Sequence, residues 1–288
     1  MTTTTPTAQG ILKAKKVLVN VIETTPFKLN EQLSDEFGAK IYLKREDLQV
    51  VRSYKIRGAY NFMSHLNVAQ KKQGVVCSSA GNHAQGFALS CSLLKIKGTV
   101  FMPVTTPKQK VNAVERLGKK YIEIILSGDT YDDAKNAALK FVQKEDKIFV
   151  SPFDHKLIIE GQGTVALEIL EQIGKKQIDY LFVPIGGGGL AAGMITYFKE
   201  YSPTTKIIGV EPEGAPAMKI ALEKNKVITL DKIDSFVDGA AVKQVGYVTL
   251  PICKKGLESL ILVPEGRICT RILQLYNNDA IVAEPAGA

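Results

Sequence analysis

The sequence contains few cysteine and histidine residues, and their spacing excludes the usual metal and disulfide patterns. There are three histidines and four cysteines, namely Cys77, Cys91, Cys253 and Cys269. No two cysteines form a Cys-x-x-Cys pair, and no histidine lies at ligand spacing from a cysteine. We therefore predict small buried thiols in a reducing compartment, and no metal site.

Long apolar segments are absent as well. No stretch approaches the roughly 18 unbroken apolar residues that a membrane-spanning helix needs. Residues 1–6 are mostly threonine and lack the basic start and apolar core of a signal peptide. These absences predict a cytoplasmic protein without a membrane partner.

The chain carries a moderate excess of positive charge. It has 37 basic and 29 acidic residues, a net charge of +8. The lysines are scattered along the sequence rather than gathered in one stripe, so we predict no nucleic-acid partner. At 288 residues the chain is long enough for one large or two modest domains.

Apolar segments of strand length alternate with segments of helical length. The predicted strands are 40–43, 74–77, 98–102, 121–126, 148–150, 180–183, 206–210 and 260–263, and a helix is predicted at 11–22. Strands this apolar, separated by helices, indicate an α/β fold of mainly parallel sheets covered by helices on both faces. We predict a small domain, residues 71–151, inserted in a large domain of residues 1–70 and 152–288, with the ligand site in the cleft between them.

Lys55 lies in the run Ser53-Tyr54-Lys55-Ile56-Arg57, which follows a predicted strand and loop. Most lysines are solvated surface charges, but this one is placed where a loop presents it to the predicted cleft. Burial would lower its pKa and favour imine formation with a carbonyl cofactor.

A second motif, residues 78–86, follows one small structural unit later and reads Ser-Ser-Ala-Gly-Asn-His-Ala-Gln-Gly. Helix starts of this kind bind carboxylates through backbone N–H groups. Ser79 and Gly81 are therefore candidates for binding an amino acid carboxylate, and Asn82 can donate to a phenolate oxygen. For His83 we favour a packing or hydrogen-bonding role over that of a general base.

A third motif consists of a strand, a tetraglycine turn and a helix of small residues. Its candidate binding residues are Gly186, Gly187, Gly188, Gly189 and Leu190. Four glycines allow several N–H groups to face one anion, and the helix dipole adds partial positive charge there, which indicates a phosphate site. Two alternatives remain open, a flexible turn and a dinucleotide site in which Glu211 would bind a ribose. No Gly-Lys-Ser/Thr follows, which excludes a Walker motif.

The end of the sequence predicts a short strand from about residue 278, followed by the opening of a helix at Pro285. A fold that stopped inside an apolar helix start would leave core surface uncovered. We therefore expect a natural C-terminal segment beyond Ala288.

Together, the three motifs resemble the fold-type II pyridoxal phosphate enzymes and, within them, the threonine ammonia-lyases. The resemblance runs from about residue 24 to the end of the sequence. It implies that pyridoxal 5'-phosphate is the cofactor, held covalently by Lys55, with its ring hydroxyl on Asn82 and its phosphate on the glycine loop. It also implies that Ser79, Gly81 and Asn82 hold the substrate carboxylate, that Lys55 removes the Cα proton of threonine, and that the protein is a homodimer or homotetramer.

Two positions distinguish relatives within this family. Ala80 stands where the serine racemases carry a catalytic serine, which favours a lyase over a racemase, and Ala217 replaces an acid that binds a divalent metal in the racemases. The residues around 209–218 and 236–241 look like those of the biosynthetic enzymes of isoleucine synthesis. A serine-directed lyase or racemase and a non-catalytic cofactor- or dinucleotide-binding module remain the alternatives. The family's partner for the pyridine nitrogen would follow Pro285, beyond this sequence, so we expect weakened or lost cofactor binding.

Overall fold

The computed structural model describes residues 5–288, which fold around two parallel sheets and a short antiparallel pair. The strands are β1 Phe27–Leu29, β2 Tyr42–Lys44, β3 Val75–Ser78, β4 Gly98–Met102, β5 Ile122–Leu126, β6 Ile148–Phe149, β7 Tyr180–Pro184, β8 Lys206–Pro212 and β9 Ser259–Val263. The helices are α1 Ala8–Leu18, α2 Glu31–Phe37, α3 Lys55–Ser64, α4 Val68–Gln73, α5 Asn82–Leu94, α6 Lys108–Gly118, α7 Tyr131–Lys144, α8 Lys156–Ile173, α9 Gly189–Tyr201, α10 Ala217–Lys224, α11 Thr249–Gly256 and α12 Glu265–Asp279.

The four-stranded sheet has the order β5-β4-β3-β6 and is parallel throughout. Side chains of a strand point alternately to the two faces, and both faces of this sheet are covered. Val75 and Cys77 belong to the core cluster formed with α5 and α6, whereas Val76 packs with Ala134 and Ala138 of α7. This double coverage explains why its central strands read as unbroken apolar runs.

The three-stranded sheet has the order β7-β8-β9 and is also parallel. Val183 of β7 and Ile207 of β8 lie in the largest core cluster, with residues of α8, α9 and α11. Tyr180 and Phe182 point to the opposite face of β7, where they are 54% and 63% exposed. One face of this sheet is therefore closely packed, and the other leaves large apolar side chains open.

The predicted fold class of parallel sheets covered by helices is confirmed, but several local predictions were wrong. The first helix spans Ala8–Leu18 rather than residues 11–22. The segment predicted as a strand at residues 40–43 forms β2, which pairs antiparallel with the unpredicted β1. Residues 280–284 form no strand, because α12 continues to Asp279, and a 3-10 turn occupies Pro285–Gly287.

The cysteine prediction holds for three of the four residues. Cys77, Cys91 and Cys253 are buried, whereas Cys269 lies exposed on α12. Position 269 falls on the polar face of an amphipathic helix, which composition alone does not reveal. Within residues 5–288, no helix is long and apolar enough to cross a membrane.

Candidate active site

Lys55 is the first residue of α3, and its amine lies against the segment that follows β6. The preceding residue, Tyr54, makes no side-chain hydrogen bond that caps the start of the helix. The Nζ of Lys55 donates a hydrogen bond to the carbonyl oxygen of Pro152 at 3.3 Å. Burial lowers the pKa of Lys55 to about 8, against an opposing effect of the Glu284 carboxylate. A substantial fraction of the amine is therefore neutral near pH 8, the form that attacks a carbonyl.

A buried cluster of charges fixes the helical turn that carries this lysine. The Arg57 guanidinium is fully buried and contacts Glu46 at 2.7 Å and Glu168 of α8 at 2.6 Å. Lys44 also contacts Glu168, so two positive and two negative groups balance. Loss of one partner would leave an uncompensated buried charge, so the cluster locks α3 against α8 and β2.

The second motif lies at the start of α5, beyond the end of β3. Ser79 accepts a hydrogen bond on Oγ from the backbone N–H of Gly81 at 3.2 Å, and Asn82 opens the helix without a side-chain cap. A Cβ atom on Gly86 would lie 2.9 Å from the backbone nitrogen of Ile56. Because α5 packs so closely on the start of α3, the asparagine and lysine motifs are held side by side.

His83 lies inside α5 and is buried. Its Nε2 donates to the carbonyl oxygen of Val150 at 3.0 Å. Burial and the charge of Lys55 lower the pKa of His83 to about 3, so the ring is neutral near pH 7. Its position and protonation fit the packing role that the sequence favours.

The glycine loop connects β7 to α9 and leaves no room for side chains. A Cβ atom on Gly187 would come within 2.3 Å of the Phe153 ring, and one on Gly186 within 2.7 Å of the Ala240 carbonyl oxygen. Gly188 has a φ of +90°, which L side chains rarely adopt. Since Phe153 follows Pro152, the partner of Lys55, the loop and the lysine meet at one short segment.

The same loop ends in hydrogen-bond donors that no side chain caps. Helix α9 begins at Gly189 with no side-chain cap, so the first N–H groups after Gly188 lack an intrahelical acceptor. The positive end of the helix dipole lies at the same place. A phosphate group fits this set of donors, and the buried amine of Lys55 fits a carbonyl group, so pyridoxal phosphate matches the chemistry of the residues present.

Two residues that the sequence did not single out support this loop. The Asp154 carboxylate accepts from the backbone N–H groups of Tyr247 and Val248 at 2.8 and 2.9 Å. The hydroxyl of Thr249 then donates to the carbonyl oxygen of Gly187 at 2.7 Å. These partners are more than 60 residues apart in sequence, so no local pattern could have revealed them.

Glu284 is a further residue of the site that sequence reasoning missed. Its carboxylate lies at the amide nitrogen of Asn82, with both oxygens 2.8 Å from Nδ2. Although solvent reaches part of this residue, the surrounding protein raises the pKa of Glu284, while Asn82 and Lys55 act in the opposite direction. The site thus gathers an amine, an amide, a carboxylate and a donor-rich loop.

Glu211 does not provide the free carboxylate that a ribose would need. It is only 1% exposed, and its oxygens accept from the backbone N–H groups of Met218 and Lys219 at 2.7 and 2.8 Å. The carboxylate is used to stabilise the start of α10, which begins at Ala217. Glu211 is therefore not available to bind a ribose, which removes the acidic residue that the dinucleotide interpretation of the glycine loop requires.

The family model for pyridoxal-phosphate dependent enzymes matches residues 19–288, and the chain belongs to this family. Over 280 residues it is 56% identical to the biosynthetic L-threonine dehydratase IlvA of Halalkalibacterium halodurans. That match covers 97% of this chain and 67% of the relative, so the chain spans about two thirds of its length.

Solved structures of the same fold extend the comparison. The processed form of threonine deaminase isoform 2 from Solanum lycopersicum matches with a TM-score of 0.91 at 40% identity, covering 96% of this chain and 80% of that one. Maize serine racemase matches with a TM-score of 0.93 at 30% identity, covering 99% and 85%. The fold is thus shared by lyases and racemases, and fold alone does not decide between them.

Proposed function

We propose that the chain is the catalytic part of a biosynthetic threonine ammonia-lyase that converts L-threonine to 2-oxobutanoate and ammonia, the first step of isoleucine biosynthesis. L-serine is proposed as a second substrate. The observation that carries the proposal is the convergence of Lys55, Asn82 and the glycine loop at one site, in a chain 56% identical to a named L-threonine dehydratase. The net reaction removes water from Cα and Cβ and later consumes water to release ammonia.

The proposed roles follow from where each group lies. The N–H groups of Gly186, Gly187, Gly188, Gly189 and Leu190 bind the cofactor phosphate at the start of α9. Asn82 donates to the ring hydroxyl, and the Ser79 hydroxyl and the N–H of Gly81 hold the substrate carboxylate at the start of α5. The arrangement leaves anionic groups of cofactor and substrate at helix starts, where the backbone dipoles favour them.

Lys55 has two tasks in this proposal. Its amine holds the cofactor in the resting enzyme, and when released it accepts the Cα proton of the substrate. Both tasks require the neutral amine, which is the form favoured by burial. The cofactor, when bound, supplies an electron sink for the charge that the lost proton leaves behind.

We propose that residues 71–151 form the small domain and residues 1–70 and 152–288 the large one. The whole four-stranded sheet, from Val75 of β3 to Phe149 of β6, falls within the first range. The Asn82–Glu284 contact and the Lys243–Asp132 ion pair, with 2.8 Å between charged atoms, span this boundary. Apolar packing crosses the same boundary as well, since Ile56 of α3 and Phe87 of α5 lie in one core cluster, so the polar contacts are the part that can break to admit a substrate.

A cytoplasmic location and a homo-oligomer are further proposals. Three buried free thiols suit a reducing compartment. The exposed apolar residues of β7 provide a surface through which two copies of the chain can associate. Cell fractionation and light scattering of the purified protein test these two points.

The experiment that tests the function combines visible absorption with a keto-acid assay. The purified chain is titrated with pyridoxal phosphate and then given L-threonine, in parallel with Lys55→Ala and with Lys16→Ala, an exposed lysine on α1, as the matched control. We expect a visible absorption band and 2-oxobutanoate from the wild type and the control, and neither from Lys55→Ala. A band and turnover that survive in Lys55→Ala contradict the assignment.

Maize serine racemase, with its TM-score of 0.93, makes racemisation the second candidate. Ala80, next to Ser79 in the asparagine motif, lacks the hydroxyl that a base on the opposite face of Cα would need. We therefore expect keto acid from L-serine and little D-serine. Chiral chromatography of the products decides, and D-serine as the main product would favour the racemase.

A further inference from the structure

Glu284 contacts Asn82 from a distant part of the chain. The two residues are 202 positions apart, and the amide nitrogen of Asn82 lies 2.8 Å from each oxygen of the carboxylate. An ionised carboxylate can only accept hydrogen bonds, so it determines which end of the amide faces it. Glu284 therefore fixes the nitrogen of Asn82, rather than its oxygen, on the side of the amide that faces the carboxylate.

The carboxylate is also part of the electrostatic surroundings of Lys55. The charge of each group shifts the other's pKa towards its charged form. A Cβ atom on Gly239 would lie 3.2 Å from Oε1 of Glu284, and Ala240 packs on Gly186 of the glycine loop. Glu284 thus lies among the lysine, the asparagine and the loop.

We infer that Glu284 is a positioning residue that aims an N–H of Asn82 at the ring hydroxyl of the cofactor. An amide nitrogen carries two hydrogens, so Asn82 can give one to Glu284 and one to a second acceptor. This inference rests on the proposed function, because that function places the ring hydroxyl at Asn82. It adds a carboxylate that controls, through Asn82, how strongly the ring oxygen is bound.

A purely structural contact would behave differently. If Glu284 only tied two parts of the chain together, its loss would change stability and leave the bound cofactor's spectrum unchanged. If it orients Asn82, its loss changes the donor at the ring oxygen, and the visible band of the bound cofactor shifts. The pH dependence also differs, because protonated Glu284 accepts less strongly than the carboxylate.

The test titrates pyridoxal phosphate into wild type, Glu284→Gln, Glu284→Ala and Asp132→Asn, without substrate. Asp132→Asn is the matched control, since it breaks the ion pair with Lys243 across the same boundary and has no contact with Asn82. We expect about tenfold weaker cofactor binding in Glu284→Ala, because one hydrogen bond to a charged group is lost. The effect in Glu284→Gln should be smaller. Both should shift the visible band and lose a pH-dependent step that wild type and Asp132→Asn retain.

Circular dichroism and thermal midpoints show whether each variant is folded, and Glu284→Gln keeps the shape of the side chain if Glu284→Ala does not fold. The inference is overturned if Glu284→Gln matches Asp132→Asn in affinity, band position and pH profile. That result, with a Lys55-dependent band in wild type, would leave the proposed function intact. If the wild type forms no such band, the proposed function fails as well.

Discussion

The two parallel sheets differ in how completely they are covered. Every residue of the inner strands β3 and β4 is buried, and the outer strand β5 exposes one large apolar side chain, Leu126. The outer strands β7 and β9 of the other sheet expose four, namely Tyr180, Phe182, Ile261 and Leu262. In the four-stranded sheet α7 covers the second face, whereas on the second face of the three-stranded sheet Ile268 and Ile272 of α12 pack near Val263 at the end of β9, and Phe182 of β7 stays exposed. The apolar residues of a strand thus show which sheet faces can be buried. Whether a face is buried in the folded protein depends on whether a helix packs against it.

The difference between the two sheets is tested by replacing one phenylalanine in each region with alanine, the buried Phe87 and the exposed Phe182. The larger effect is expected at Phe87. Phe87 is fully buried between α5 and the four-stranded sheet, so Phe87→Ala should lower the free energy of unfolding by about 3 to 5 kcal/mol. Urea unfolding at neutral pH measures the change. A loss below about 1 kcal/mol would mean that this core is much looser than its burial indicates.

The glycine loop shows that the three-stranded sheet is closely packed where it meets the site. In Gly187→Ala the new methyl group would overlap the Phe153 ring, whose displacement should cost about 1 to 3 kcal/mol. We expect a corresponding loss of pyridoxal phosphate affinity, measured by titration of the visible band. Gly38→Ala is the control, because its new methyl group would meet no atom within 4 Å while its φ of +60° strains an alanine backbone. The control therefore measures the cost of backbone strain alone, without steric overlap.

The buried carboxylate of Glu211 should make the three-stranded sheet sensitive to pH. Burial raises its pKa from 4.5 to about 7, although two backbone N–H groups oppose the shift. The folded chain then binds a proton that the unfolded chain has lost, so stability falls as pH rises from 4.5 to about 7.

The full loss amounts to roughly 3 kcal/mol by linkage. Glu211→Gln cannot ionise, so we expect its stability to change less than that of the wild type between the two ends of this range. Denaturant unfolding at both pH values measures the difference. If the free energy of unfolding changes by the same amount in both proteins between the two pH values, Glu211 is not the group responsible.

The smallest effect is expected at the open face. Phe182 is 63% exposed, and Phe182→Ala should change the free energy of unfolding by less than about 1 kcal/mol. The same urea experiment gives the comparison with Phe87→Ala. If the two losses are similar, a contact in solution covers Phe182.

Sequence reasoning succeeded where the determinants are local. The apolar strands, the first helical turn at Lys55 and the tetraglycine turn follow from the composition of short segments. The three-residue strand β1 and its antiparallel pairing with β2 were not predicted, because they depend on a partner rather than on a local pattern. Sequence reasoning also predicted a strand around Ile281, where the apolar side chain is buried without any strand partner.

The candidate site shows the same limit. The motifs of Lys55, Asn82 and the glycine loop could be recognised locally, because each opens a helix, and the last two do so after a run of small residues. Glu284 could not, since its partner is 202 residues away and a lone glutamate before proline carries no local pattern. Long-range hydrogen bonds therefore hold the part of the site that sequence patterns do not predict.

The convergence of α3, α5 and α9 at one place has a thermodynamic consequence. If the cofactor binds there as proposed, it contacts helices that pack on both sheets, so its binding free energy is available only while both sheets are folded. Binding should therefore act as a noncovalent cross-link that makes unfolding more cooperative. If the cofactor-free chain melts in two steps, one for each sheet, saturation with pyridoxal phosphate should merge them into one.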